Sequence, residues 1–236
     1  MNAARITGSI VFRPIPMTLR AFAFAASLAA ASVVAPAMAQ AQATPFKDTS
    51  VFKQLPGHPV VLYEWEDMEC PACAADAPIV LQAVEHYKIP YERHDFLIPG
   101  HTWSKQAAIT ARYLQDKVNP AVAENYRQDV FKNQQSIASP DDLGNFTHRW
   151  FDAHHLQMPF VMDPNGLFAA EVQSDVREGD RFGLIHTPTI VVVGPKGMTE
   201  VQDITQLYTI IDNAQAQVKS APAVHNNLKR PVKTPN

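Results

Sequence analysis

Two largely apolar runs stand far apart in this chain, with a long helical pattern between them. Val60-Val61-Leu62-Tyr63-Glu64-Trp65 and Thr189-Ile190-Val191-Val192-Val193 are short and rich in β-branched residues, and both read as buried strands. From Ala74 to Tyr87 the apolar positions Ile79, Val80, Ala83 and Val84 follow helical spacing, with Pro78 expected to kink the helix. Pro90 to Ile98 reads as a second strand, only loosely alternating, closed by the turn Pro99-Gly100. Trp103 to Gly183 carries no strand pattern and predicts helices near 103–117, 120–134, 140–155 and 164–180. Ser139-Pro140-Asp141-Asp142 is a helix start, an N-cap followed by proline and acids in the first turn, and Asp163-Pro164 repeats the signal. After Val193 come a turn at Gly194–Gly197, a hairpin partner from Met198 to Ile204, and a last helix over 206–218.

The order is thus β-α-β, an all-helical block, then β-β-α. Two partial sheets separated by helices describe one α/β domain, residues 50–100 and 184–218, with an α-helical subdomain inserted at 101–183. Residues 40–49 read as a flexible leader, and 219–236, rich in Pro, Lys and Asn, as a disordered tail.

The first 39 residues change the picture of where the chain works. They hold Arg5, Arg13 and Arg20 and no acid, then an apolar stretch from Ala21 to Val34, then Ala37-Met38-Ala39. A basic start, a short apolar core and an A-x-A end describe a secretory signal peptide cleaved after Ala39, and so a periplasmic protein. The alternatives are an uncleaved anchor or a disordered arm, and Met17 is an alternative start. Cleavage takes the formal net charge from −3 to −6, which gives no reason to expect nucleic acid or an anionic membrane as partner.

The candidate chemistry lies in the chain's two cysteines, Cys70-Pro71-Ala72-Cys73, placed between the first strand and the first helix. A helix N-terminus presents free N–H groups and the positive end of the helix dipole, and both stabilise a thiolate. Cys70, first on the helix, is the expected attacking thiolate; Cys73, one turn deeper, is the resolving thiol. Pro71 has no N–H to leave unsatisfied there and fixes φ. Export places the pair where disulfides persist, while so short a loop makes a poor structural staple.

With the strand–CPAC–helix element, Glu64 six residues before Cys70, and His186-Thr187-Pro188-Thr189 leading into a strand, the chain resembles the DsbA-like thiol-disulfide oxidoreductases. The resemblance spans roughly residues 50–218 and implies a thioredoxin-like fold with an inserted helical domain. It implies that Thr187-Pro188 is the cis-proline loop beside the sulfurs, where the Thr187 backbone pairs with an extended substrate. It also implies that Glu64 is the acid kept beneath the redox pair, a proton acceptor for Cys73; the alternative is a strand-end carboxylate facing solvent. Either way a buried acid needs a partner or a raised pKa.

Two departures bear on the redox poise. Ala72 stands where the strongest oxidants of the family carry a histidine, and Glu64, Glu66, Asp67 and Glu69 cluster ahead of Cys70, where negative charge raises a thiol pKa. The expectation is a mild oxidant. His186 either approaches the sulfurs and replaces the missing histidine or points to solvent. Trp65 and Trp103 are expected to pack beside the site, and His154-His155 to serve surface and core packing.

These readings predict a periplasmic, monomeric enzyme without cofactor that exchanges disulfides with exported proteins and is reset by a membrane redox partner. A disulfide reductase or isomerase is the nearest alternative. A Cu- or Zn-binding protein using the same cysteines, with His186 or His101, is the alternative of a different class.

Overall fold

The structure, a computed structural model, describes residues 46–220. The expected signal peptide, the first part of the leader and nearly all of the expected tail lie outside the described residues. Among these residues the order is β1 (Val61–Glu66), α1 (Pro71–Tyr87), β2 (Tyr91–Asp95), α2 (Ser104–Lys117), α3 (Pro120–Asn133), a 3₁₀ turn at Gln134–Ser136, α4 (Pro140–Ala153), α5 (Leu167–Phe182), β3 (Thr189–Gly194), β4 (Gly197–Glu200) and α6 (Leu207–Ser220). The sheet order is β2-β1-β3-β4, with β1 parallel to β2 and antiparallel to β3. This is the expected mixed α/β architecture.

Period-two alternation along β1 and β3 divides the core. Val60, Leu62, Ile190 and Val192 face α1 and α6, meeting Val80, Ala83, Leu207 and Ile211. Val61, Tyr63, Trp65, Val191 and Val193 face the other way, onto Phe52, Phe182 and Leu184. The helical block builds a third cluster around Trp103, Leu114, Tyr126, Leu143, Trp150 and Phe151, and Cys70, Cys73 and Ala77 belong to it. The amino-terminal half of α1 is therefore buried by the inserted helices, and its carboxy-terminal half by α6 and the sheet.

Several boundaries differ from expectation, each for a local reason. α5 starts at Leu167 because Gly166 adopts φ 69 and closes a turn in which its N–H reaches the Asp163 carbonyl. β2 stops at Asp95; soon after, the Ile98 N–H turns to the Asp67 carboxylate. β4 ends at Glu200, since the Asp203 carboxylate starts a 3₁₀ turn at Ile204. The last helix runs to Ser220, two residues into the expected tail. The end of the leader is docked, with the Lys47 N–H on the Phe182 carbonyl at 2.8 Å and the rings of Phe46 and Phe52 5.0 Å apart. Trp65 does not flank the cysteines: it lies on the opposite face of the sheet, stacked 4.4 Å from His94.

Candidate redox site

The loop Asp67-Met68-Glu69 carries the chain from β1 to Cys70, the extended residue that precedes α1 (φ −79, ψ 120), with Pro71 at the first helical position. Cys70 and Cys73 are free thiols in this structure, both buried, and Pro71 and Ala72 form the exposed rim between them. The Thr187–Pro188 peptide bond is cis, and it brings Thr187 onto the site. The Cys70 Sγ lies 3.3 Å from the Thr187 carbonyl, to which it donates when it carries its proton. Sequence separation of 117 residues is thereby closed to one hydrogen bond.

The two sulfurs are electrostatically unlike. A hydrogen bond from the Cys73 thiol, helped by the Thr187 side chain and by the Cys73 and Ala72 N–H groups, brings the Cys70 pKa down to about 5 against the opposing effect of burial. Those N–H groups are the free donors of the first helical turn. Burial, the hydrogen bond to Cys70 and the charge of its thiolate push Cys73 far above an ordinary thiol, although the Asp67 N–H, 3.5 Å from Cys73 Sγ, works the other way. At neutral pH one sulfur is a thiolate and the other holds its proton.

The four acids before Cys70 do not act as expected. Asp67 accepts from the Glu69 and Ile98 N–H groups at 2.7 and 2.8 Å and lies 2.9 Å from His101 Nδ1. Glu69 accepts from the Trp103 and Ser104 N–H groups at 2.7 and 3.1 Å, so it occupies the amino terminus of α2. Glu66 lies 3.1 Å from Arg127 and 3.3 Å from Arg93. Each acid faces a donor of its own, and Cys70 sits low in spite of them. Linear proximity overstated their effect because it carries no direction.

Glu64 is buried on the α1-facing side of β1. Its Oε2 accepts the Tyr91 hydroxyl, and its Oε1 has no partner among the described residues. Burial, with the neighbouring Glu66 charge, raises its pKa to about 8, despite the opposing pull of Arg93 and the Tyr91 hydrogen bond. The solvent-facing alternative is excluded, and the hydrogen bond of Glu64 goes to Tyr91 rather than to a sulfur. Burial also raises Glu66, against the charges of Arg93 and Arg127, and its charge in turn disfavours ionisation of Cys73.

His186 turns away from the sulfurs: Nδ1 lies 3.1 Å from the Pro188 carbonyl and Nε2 3.5 Å from Glu200. Trp103 does pack in the cluster that holds both cysteines. His154 stacks on Trp150 at 3.9 Å, as packing requires. Among the described residues no three His, Cys, Asp or Glu side chains come together as a metal-ligand set.

Gln134 and Tyr91 escaped the sequence reading. Gln134 Nε2 donates to the Met68 and Cys70 carbonyls at 2.9 and 3.0 Å and so ties the helical block to the redox loop. A glutamine after a helix carries no signal of that task. Tyr91 and Arg93 had a readable clue, two polar positions on the strand that neighbours the one bearing Glu64.

A family model described as thioredoxin matches residues 56–213, and the chain belongs to that family. Its fold is the DsbA-like form with inserted helices. The crystal structure of alpha-DsbA1 from Wolbachia pipientis is similar at 15% identity and TM-score 0.55, covering 70% of this chain and 92% of that one. Oxidised BdbD from Bacillus subtilis is similar at 17% identity and TM-score 0.54, covering 70% and 91%. Proteus mirabilis ScsC in a transitional conformation is similar at 15% identity and TM-score 0.54, covering 70% and 71%. No curated protein matches the sequence.

Proposed function

We propose that this protein is a periplasmic thiol-disulfide oxidoreductase that oxidises exported proteins through the Cys70–Cys73 couple. The observation that carries the reading is the position of the Cys70 sulfur, at the head of α1 and 3.3 Å from the Thr187 carbonyl of the cis-proline loop, where its surroundings favour the thiolate. A substrate thiolate attacks Cys70 Sγ of the oxidised enzyme, the Cys70–Cys73 bond breaks, and Cys73 leaves with the electron pair and takes up a proton. A second substrate thiolate then attacks the substrate sulfur of the mixed disulfide and releases Cys70 as a thiolate. In the reverse direction Cys73 loses its proton and attacks Cys70 Sγ.

Thr187 and Pro188 form the substrate-binding edge, where an extended peptide pairs with backbone. Pro71 and Ala72 keep the rim small. Glu64 takes part as the proton group of Cys73. Export rests on the signal-peptide reading of residues 1–39, and a membrane oxidase is the reoxidising partner proposed with it. The segments 50–100 and 184–218 form the thioredoxin-like body and 101–183 the insert; the protein works as a monomer.

A thiolate near pH 5 lies between those of thioredoxin, about 7, and DsbA, about 3.5. The potential is therefore expected between about −270 and about −120 mV. Cys70→Ser should abolish exchange, and Cys73→Ala should accumulate mixed disulfides on non-reducing gels. Normal turnover of Cys73→Ala, or a Cys70 that alkylates like a free thiol at neutral pH, would sink the assignment. Oxidation of reduced ribonuclease faster than repair of scrambled ribonuclease separates the oxidant from the isomerase.

A further inference from the structure

The thiol of Cys73 is fully buried, yet in each cycle it must gain or lose one proton. In the proposed reaction the substrate covers Cys70 and Thr187, on the β3 flank of β1. The other flank is different. There β2, α2 and α3 enclose a cleft of ≈ 420 Å³ whose lining includes Tyr91, Arg93, Gln115, Pro120, Glu124 and Arg127. Gln115 and Pro120 are exposed at its mouth.

A continuous set of polar groups joins this cleft to the carboxylates under α1. Glu64 and Glu66 project from the same side of β1, and each has one carboxylate oxygen without a hydrogen-bond partner among the described residues, Glu64 Oε1 and Glu66 Oε2. The other oxygens are held. Tyr91 donates its hydroxyl to Glu64, Arg93 Nε donates to that hydroxyl oxygen at 3.0 Å, and Arg93 Nη1 donates to Glu124 at 2.6 Å. Arg127 lies 3.1 Å from Glu66 and 2.9 Å from Asp95. The titratable groups that act on the pair are thus Cys73 and Asp76 on α1, Tyr91, Arg93 and Asp95 on β2, and Glu124 and Arg127 on α3.

We propose that Tyr91 is the gate of a rear proton exit, which connects Cys73 through the Glu64–Glu66 pair to the cleft behind β2. The inference rests on the proposed assignment of Cys73 as resolving thiol and of Glu64 as its proton group. When Cys73 becomes the attacking thiolate, its proton passes to the carboxylate pair. Once Glu64 is protonated the Tyr91 hydroxyl, which otherwise donates to it, turns toward the cleft, and the Glu64 proton moves to the Tyr91 oxygen as the hydroxyl proton passes to water, one proton in and one out. Arg93 takes no proton. Its guanidinium fixes the tyrosine oxygen between Glu64 and the cleft. Refilling the pair after Cys73 leaves as a thiolate runs the same path backwards. Glu64, raised to about 8, and Glu66, raised by burial, both hold protons more readily than ordinary carboxyls, as an intermediate station requires.

The test uses the full-length protein loaded with a mixed disulfide between Cys70 and a small thiol, and follows its release by Cys73 across pH. Tyr91→Phe should slow release at pH 7 by about tenfold, within the range of a lost proton-transfer group. It should leave the pH profile of Cys70 alkylation unchanged, and imidazole, small enough for the cleft, should restore the rate. Gln115→Trp, which narrows the mouth from the exposed side of α2, should also slow release without altering Cys70. Release by Tyr91→Phe at the wild-type rate, or slowing that imidazole does not relieve, would overturn the exit. If Cys73→Ala fails to trap mixed disulfides, the assignment of Cys73 fails instead, and the two failures are told apart.

Discussion

At the scale of single residues, the site works by giving neighbouring groups unlike proton affinities. Cys70 is the sulfur with donors around it, and Cys73 is the one with none but the Asp67 N–H. Glu64 shows the same logic in a carboxyl group. Its folded pKa, about 8, stands above the ordinary value of 4.5, so its ionisation opposes folding. The native carboxyl is harmless to stability below about pH 4.5 and costs progressively more as pH rises through 8. Glu64→Gln should therefore leave the urea midpoint nearly unchanged at pH 4 and raise stability by about 1–3 kcal/mol at pH 9, a discounted share of the shift. A gain of equal size at both pH values would show that the cost of Glu64 is not ionic. The same variant should slow release by Cys73. Of these features, the identity of the two cysteines was legible in the sequence, whereas the burial of Glu64 was decided only by the structure. Nor was the partner of Glu64 legible, since Tyr91 is 27 residues away and meets it only through the pairing of β1 with β2.

At the scale of elements, the redox loop is held from three sides. Glu69 binds the amino terminus of α2, Gln134 binds the loop carbonyls from the end of α3, and Asp67 binds the chain after β2. The arrangement explains why an acid directly before Cys70 leaves its thiolate low: the helix N-terminus of α2, not the sulfur, receives the charge. Glu69→Ala removes the acceptor for two α2 N–H groups and should cost about 1–2 kcal/mol in a denaturant titration, the size of a lost helix cap. An unchanged midpoint would mean that water replaces the carboxylate without loss. The helix positions themselves were readable from apolar spacing and from the cap at Ser139, which accepts from the backbone as its residue type suggests; Asn119 caps α3 in the same way, a signal the sequence reading passed over. The start of α5 was misread because Asp163-Pro164 looks like a cap while Gly166, three residues on, takes the left-handed turn that begins the helix.

At the scale of the whole molecule, a buried set of ions locks the inserted helices to the sheet. Asp95 at the end of β2 accepts from Arg112 of α2 and Arg127 of α3, both at 2.9 Å. Burial alone would raise its pKa, but the two guanidinium groups outweigh it and hold it at about 2. The Asp175 carboxylate of α5 accepts the Asp95 N–H at 2.9 Å and also meets Arg112. Arg127→Met leaves Glu66 and Asp95 buried with a charge too few and should cost about 3–5 kcal/mol, read by chemical denaturation at pH 7. A loss below about 1 kcal/mol would mean that apolar packing compensates for the missing charge.

Taken alone, the sequence determined the class of fold, the split of an α/β domain by helices, and the pair of sulfurs at the head of α1. Those follow from local rules, period-two and helical spacing and helix-terminus chemistry, which need no distant partner. Tertiary structure alone decided which sulfur meets Thr187, where the acids before Cys70 direct their charge, that His186 turns to Glu200, and that Glu64 is wired to Tyr91. Electrostatic effects depend on distance, direction and burial in space, and along the chain those quantities do not exist.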